Sequence, residues 1–210
     1  MLCSNVIPYL PLMNAYACLR QQHFEHGAYA LMPVQPEHIE PIRQWRNAQL
    51  DVLRQAEPIT ALQQQAYFGQ QIWPTLAQPQ PANLLLALMH EGQLIGYGGL
   101  VHIVWAHQRA EVSFLLDPTR TQDPAHYAAD FSAFLGLLAT VAFDDLGLRR
   151  LFTETYALRT HHISVLEVNQ FVREGVLRGH VLINGGPVDS LMHGRLAPDI
   201  NSPHSFDSKS

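Results

Sequence analysis

The sequence predicts a mixed α/β (α+β) domain: a mostly antiparallel sheet of six to seven strands flanked by about four helices. Three observations carry this. The runs NLLLALM (83–89), LIGYGGLVHIVW (94–105) and AEVSFLLD (110–117) follow one another with short polar breaks, the pattern of an antiparallel meander. A helix-length amphipathic segment, 124–145, then separates AEVSFLLD from the next strand, RLFTETYAL (150–158), so one strand–helix–strand crossover interrupts the meander. No GxGxxG motif and no regular strand–helix alternation occur, which excludes a dinucleotide-binding sheet.

The elements follow in order. Residues 29–34, YALMPV, read as the first strand. Pro36 and Pro41 suit the first turn of a helix, and Ile42, Trp45 and Leu50 mark a broken helical region over IRQWRNAQLDVLRQ. Thr60 is the expected N-cap of a second helix, with Leu62, Ala66 and Phe68 or Gly69 on its packing side. Pro74, Pro79 and Pro81 mark a loop. The apolar run 83–89 turns through HEGQ into 94–105, where Gly96, Gly98 and Gly99 signal a bulge or a close backbone approach. Asp123 and Pro124 are the N-cap and first position of the third helix. Tyr127, Phe131, Phe134, Leu138 and Val141 keep its period, and Gly147 stops it. HHISVLEV (161–168) is a short fourth helix, and the two segments after it form a terminal hairpin.

The chain has 210 residues, 47% hydrophobic and 15% charged, enough for one domain with a sizeable core. Residues 1–27 lack a clean period and read as an extension, partly ordered at best. Residues 197–210, polar and rich in Pro and Ser, read as a disordered tail, which leaves 28–196 as the domain. A formal net charge of −5 gives no global attraction to nucleic acid or an anionic membrane. The apolar N-terminus lacks a basic region and is interrupted by Pro8 and Pro11, and no later segment reads as a membrane span. Cys3 and Cys18 make neither a disulfide framework nor a zinc set, so a reducing cytoplasm is the expected setting.

This order of elements resembles the acetyl-CoA-dependent N-acetyltransferases of the GNAT superfamily over residues 28–196. The resemblance is carried by WRN (45–47) with ITALQQQAYF (59–68), IGYGGL (95–100), AEVSFLLD (110–117), LGLRRLFTETY (146–156) and LEVNQFVREGVLRGHV (166–181). The WRN and YF elements are closest to acyltransferases of amino sugars in surface-glycan pathways, and similar also to ribosomal-protein N-terminal acetyltransferases. The resemblance implies that the strands equivalent to 110–117 and 150–156 splay apart. The pantetheine arm of acetyl-CoA then fills the gap, bonded to the backbone of Phe114, Leu115 and Leu116. It implies acetyl-CoA as co-substrate, no metal, a small amine acceptor, and a monomer or homodimer.

The expected site follows from the same resemblance. Glu111, at the mouth of its strand, is the expected general base. An ammonium must lose a proton before nitrogen can attack a thioester, and free amines have pKa values well above 7. The competing reading pairs Glu111 with Arg109, Arg149 or Arg150. Glu154 faces opposite Thr153 and Thr155 and is a second base or an acceptor-binding carboxylate. Tyr156 is a candidate proton donor to the leaving thiolate, since the family's helix tyrosine is replaced by Leu166, with a packing role as the competing reading. The family's glycine-bearing pyrophosphate loop is here 120–127, RTQDPAHY, without glycine. Arg120 supplies charge there, but Asp123 as N-cap puts a carboxylate where the anion should sit. Either the helix begins later, freeing the N–H groups of Ala125 and His126, or cofactor binding is altered. Arg159 and His162 stand where family members contact the cofactor. Trp45, Arg46 and Asn47 lie on the segment that helps form the acceptor pocket, with Trp45 as core and Arg46 as a solvated charge the alternative readings. A non-catalytic acyl-CoA-binding module is the rival from another class.

Overall fold

The computed structural model of the chain describes residues 14–50, 53, 55 and 57–198. The expected tail from 199 onward, Cys3 and the first half of the expected extension lie outside the described residues. Eight strands form one sheet: β1 (Phe24–His26), β2 (Tyr29–Pro33), β3 (Leu84–His90), β4 (Gln93–Val104), β5 (Arg109–Leu116), β6 (Arg150–Tyr156), β7 (Val172–Ile183) and β8 (Gly186–Leu196). Their spatial order is β1-β2-β3-β4-β5-β6-β8-β7. All neighbours are antiparallel except β5 and β6, the pair joined by the crossover. Helices α1 (Ile39–Asn47) and α2 (Ala61–Tyr67) belong to one face, and α3 (Pro124–Ala139) and α4 (Thr160–Val168) to the other.

The continuous apolar run of β3 reflects burial on both sides. Leu84, Leu86 and Leu88 point into the core beneath α3 and α4, while Leu85 and Ala87 join Val34, Ile42, Phe68 and Tyr97 beneath α1 and α2. Gly98 has a steric reason. A Cβ there would run into the Ser113 carbonyl oxygen of β5 and meet the Phe134 ring at 2.8 Å and the Phe114 Cα at 2.9 Å, so only glycine lets β5 and α3 lie this close to β4. The β3–β4 turn is Glu91-Gly92, both at positive φ, as a two-residue hairpin requires.

Local capping matches the sequence. Thr60 accepts from the Gln63 N–H in a capping box, and Asp123 accepts from the Ala125 N–H at 2.8 Å, with Pro124 as the first residue of α3. The Pro124–Asp145 segment is apolar enough in composition to cross a membrane. More than half of it is buried, because its apolar side is spent on the sheet.

The structure corrects three expectations. The sheet has eight strands rather than six or seven, because β1 forms inside the expected extension. Residues 14–27 are in part core: Tyr16, Leu19 and Phe24 are buried beside β3, and the Leu85 N–H donates to the Tyr16 hydroxyl. Two anchors on irregular backbone and a third at the head of a three-residue strand leave no period to read. Leu62, expected to pack, is 77% exposed. Gln64 is buried in its place, donating to the Ile39 carbonyl, and Phe68 and Ile72 carry the packing.

The expected splay is present. β5 and β6 pair only at Arg109–Arg150, Ala110–Leu151 and Glu111–Phe152. Beyond these residues β5 keeps its pairing with β4 as far as Leu116, and β6 keeps its pairing with β8 as far as Tyr156. A gap therefore opens between them at Glu111.

Candidate active site

Strand alternation decides what faces the gap. The Asp117 N–H donates to the Ile95 carbonyl of β4, and two residues back the Leu115 carbonyl lies against Gly96. Odd-numbered residues of this stretch thus bond β4, and even-numbered ones turn their N–H and C=O toward β6. Phe114 presents both groups to the gap, past the last β5–β6 pair. The Leu116 carbonyl faces it too, and accepts from Gln49 Nε2 at 2.8 Å. Leu115, expected among the gap-facing groups, is turned away and its side chain is buried beneath α1 and α2. The Phe114 ring packs the other way, stacked on Phe131 at 4.5 Å.

At the apex, Glu111 is buried, and its Oε2 accepts from His102 Nδ1 at 2.9 Å. A bulge in β4 between Val101 and Val104 holds His102 at φ +50, beside Glu111. The expected arginine partners are not the ones that form this bond. Glu154 shares the face of Glu111, since Phe152 pairs with Glu111 and side chains alternate. Its Oε1 lies 3.5 Å from His180 Nε2 of β7. Both carboxylates line a cavity of ≈ 210 Å³ with Arg46, Ser113, Arg159 and His162. Tyr156, at the end of β6, lines neither this cavity nor the two described below.

The loop before α3 satisfies itself. Arg120 forms a two-toothed pair with Asp130, Nε to Oδ2 at 2.6 Å and Nη2 to Oδ1 at 2.8 Å, and the Tyr29 hydroxyl donates to the same carboxylate at 2.9 Å. This holds the Arg120 guanidinium pKa above its usual value. Asp123 takes the Ala125 N–H and lies 3.1 Å from His126 Nδ1, and the N–H bond first of all lowers its carboxyl pKa. The helix does begin at Pro124, which removes the alternative of a later start. Arg120, Ala125 and His126 are therefore each engaged with a carboxylate of the chain itself.

Arg159 is placed differently. It lines both the ≈ 210 Å³ cavity and a second one of ≈ 370 Å³, bounded by Gln49, Thr121, Tyr127 and the start of α4. His162 lines both as well, stacked on Phe131 at 4.3 Å. Burial, then the Arg159 charge, hold its pKa well below the usual imidazole range. The Tyr127 hydroxyl is 2.6 Å from its Nδ1, and Arg159 Nη2 is 3.4 Å from the same atom. A guanidinium only donates, so Nδ1 accepts and the neutral ring carries its proton on Nε2. The buried side-chain atoms without a partner among the described residues are Ser190 Oγ and His193 Nδ1. His162 Nε2 is not one of them, and the ring lines both cavities.

On the other face, Arg46, Gln63, Gln64, Tyr67 and Tyr97 line a third cavity, ≈ 290 Å³, which shares Arg46, Val101 and Ser113 with the ≈ 210 Å³ one. Arg46 Nη1 donates to the Tyr97 hydroxyl at 2.6 Å and Nε to Gln55 Oε1 at 2.9 Å. Trp45 packs against the core beneath α1. Asn47 clamps Ile59, accepting its N–H at 2.9 Å and donating to its carbonyl at 2.8 Å. Of the three WRN residues, Arg46 is the one that lines these three cavities. Sequence reasoning passed over His102, Tyr127 and Asp130. Asp130 had a signal, since it falls three residues after Tyr127 and four before Phe134, on the buried face of α3.

Residues 33–192 match the family described as acetyltransferase (GNAT) domain. No curated protein matches the sequence. Among solved structures, the fold is similar to a dodecameric spermidine N-acetyltransferase from Vibrio cholerae, with 16% identity, 84% of this chain and 98% of that one covered, and a TM-score of 0.70. It is also similar to a chimera of that enzyme with hSSAT (17% identity, 81% and 96% covered, TM-score 0.67). Mutant forms of the Vibrio cholerae spermidine/spermine enzyme match at 19% identity, 81% and 95% covered, with a TM-score of 0.67. At these identities the likeness is one of fold.

Proposed function

The chain belongs to the GNAT acetyltransferase family, and on that premise we propose that it moves acetyl from acetyl-CoA to the primary amine of a small acceptor, with Glu111 as general base. The observation that carries this is the gap opening at Glu111 between β5 and β6. The pantetheine arm has amides of its own, and the Phe114 N–H and C=O facing the gap suit them as a missing strand would. Bound there, acetyl-CoA supplies the thioester carbonyl as acyl donor. Its phosphates fit the usual place poorly, because Asp123 already caps α3 and Arg120 is held by Asp130. Arg159, beside the ≈ 370 Å³ cavity, is the cation we assign to them.

Glu111 takes a proton from the acceptor ammonium, directly or through one water. The His162 Nε2–H serves as a fixed donor inside the gap, to a pantetheine carbonyl or to the departing sulfur. Tyr156 lines none of the three cavities around the gap, so we assign protonation of the thiolate to water. Most of the rate then comes from holding two substrates in register. For the acceptor we favour an amino sugar, free or nucleotide-linked, since Arg46, Tyr97, Gln63 and Gln64 surround the ≈ 290 Å³ cavity with groups that bind hydroxyls. We place the reaction in the cytoplasm.

Titration with acetyl-CoA by calorimetry, followed by hydrogen exchange, tests the gap. Binding should slow exchange of the Phe114 amide, and amines should then release free thiol. Binding that leaves Phe114 unprotected would place the cofactor elsewhere, and absence of binding would end the reading.

A further inference from the structure

We infer that the acceptor carries an anionic group, a carboxylate or a phosphate, which Arg46 holds in the ≈ 290 Å³ cavity while the amine lies beside Glu111. This rests on the acetyl-transfer reading and narrows its acceptor. Arg46 is half-buried at the end of α1, and its bonded partners are two neutral groups, Tyr97 and Gln55. Arg20, Arg43, Arg120, Arg150 and Arg173 each pair with a carboxylate. Among the described residues none does so for Arg46. Two of its five donors are used, which leaves others for a ligand. Among the described residues no Asp or Glu lines the ≈ 290 Å³ cavity, so an anion there meets no like charge from them.

The adjoining cavity carries both signs, with Glu111 and Glu154 on the strands and Arg159 at the start of α4. Arg46, Val101 and Ser113 are common to both, and beyond them lie Glu111 and Glu154. The combined space therefore runs from a guanidinium to two carboxylates. A molecule with an ammonium at one end and an anion at the other matches that polarity. A polyamine matches only the carboxylate end, and brings its second cation against Arg46.

Matched acceptors test this: ethanolamine, phosphoethanolamine and β-alanine; glucosamine and glucosamine 6-phosphate; and spermidine. Each is assayed by thiol release with the wild type, Arg46→Met and Arg46→Lys, and thermal unfolding verifies the fold of each variant. In the wild type, kcat/KM for the anion-bearing member of a set should exceed that of its neutral counterpart by about 10- to 100-fold, mainly through KM. In Arg46→Met that ratio should fall toward one, and Arg46→Lys should restore part of it. Comparing β-alanine with phosphoethanolamine distinguishes carboxylate from phosphate. A preference for spermidine or for the neutral amines, or a ratio unchanged in Arg46→Met, overturns the inference. If no amine releases thiol, acetyl transfer fails as a reading. Calorimetric binding of phosphoethanolamine against ethanolamine then decides the present question alone: tighter binding that Arg46→Met abolishes supports it, and equal binding refutes it.

Discussion

Glu111→Gln separates a catalytic carboxylate from a structural one. The wild-type side chain is only 12% exposed, and its Oε2 accepts from His102 Nδ1 at 2.9 Å. Glutamine keeps the shape and can still accept that bond, but it cannot take a proton from an ammonium. General-base catalysis is worth about 10²- to 10⁴-fold, so kcat/KM should fall by that factor, roughly 2.7–5.5 kcal/mol of barrier. The structural share of the His102 bond is much smaller. His102 is 68% exposed in the pair, and an ion pair with one partner that open contributes under about 1 kcal/mol, or about 2–4 °C in Tm for a chain of this size. The assay is thiol release at saturating acetyl-CoA from pH 6 to 10. The variant should regain activity as pH approaches the pKa of the acceptor amine, where free amine no longer needs a base. Glu154→Gln, at the far side of the same cavity, should lose less. Activity within about fivefold of wild type at pH 7, with no change in pH profile, would refute the role of Glu111.

Two further outcomes follow from the groups around the gap. Asp130 is fully buried and accepts from Arg120 and Tyr29, so Asp130→Ala strands a guanidinium and a phenol and should lower unfolding stability by about 3 kcal/mol; a urea-midpoint change equivalent to under 1 kcal/mol would mean that this pair does not anchor the loop to α3. His162 is held neutral by burial, with a pKa well below its unfolded value near 6.5. Below that unfolded value the unfolded chain binds the proton that the folded chain rejects, so stability is level above about pH 6.5 and falls as pH drops. The slope is at most about 1.4 kcal/mol per pH unit for this group, and His38, also lowered by burial, acts in the same sense. Urea midpoints from pH 5 to 8 should show a shallower acid limb in His162→Gln, and identical limbs would count against the buried neutral ring.

Much of the fold was legible because its signals are short-range. Asp123 and Pro124 start α3 since one accepts a free N–H and the other has none to leave unpaired. The unbroken apolar run of β3 read as a strand, and the structure buries it on both faces. Glu111 and the divergence beyond it came from resemblance to a family, and the three-residue β5–β6 ladder bears the divergence out. The core anchors of residues 14–27 did not show, because Tyr16 and Leu19 sit on irregular backbone and Phe24 opens a strand of three residues, too short for burial to show a period.

By itself, then, the sequence determined the helix N-caps, the succession of strands and helices along the chain and the side of β6 that carries Glu154, all of which depend on neighbours a few residues away. Tertiary structure alone decided which charges remain for a ligand. Arg120 and Arg46 look alike along the chain. The first is neutralised by a carboxylate ten residues on, which a tyrosine 101 residues away also binds, while the second meets a tyrosine 51 residues away that leaves its charge intact. Coulombic pairing depends on distance through space, and those distances exist only once the sheet has closed around them.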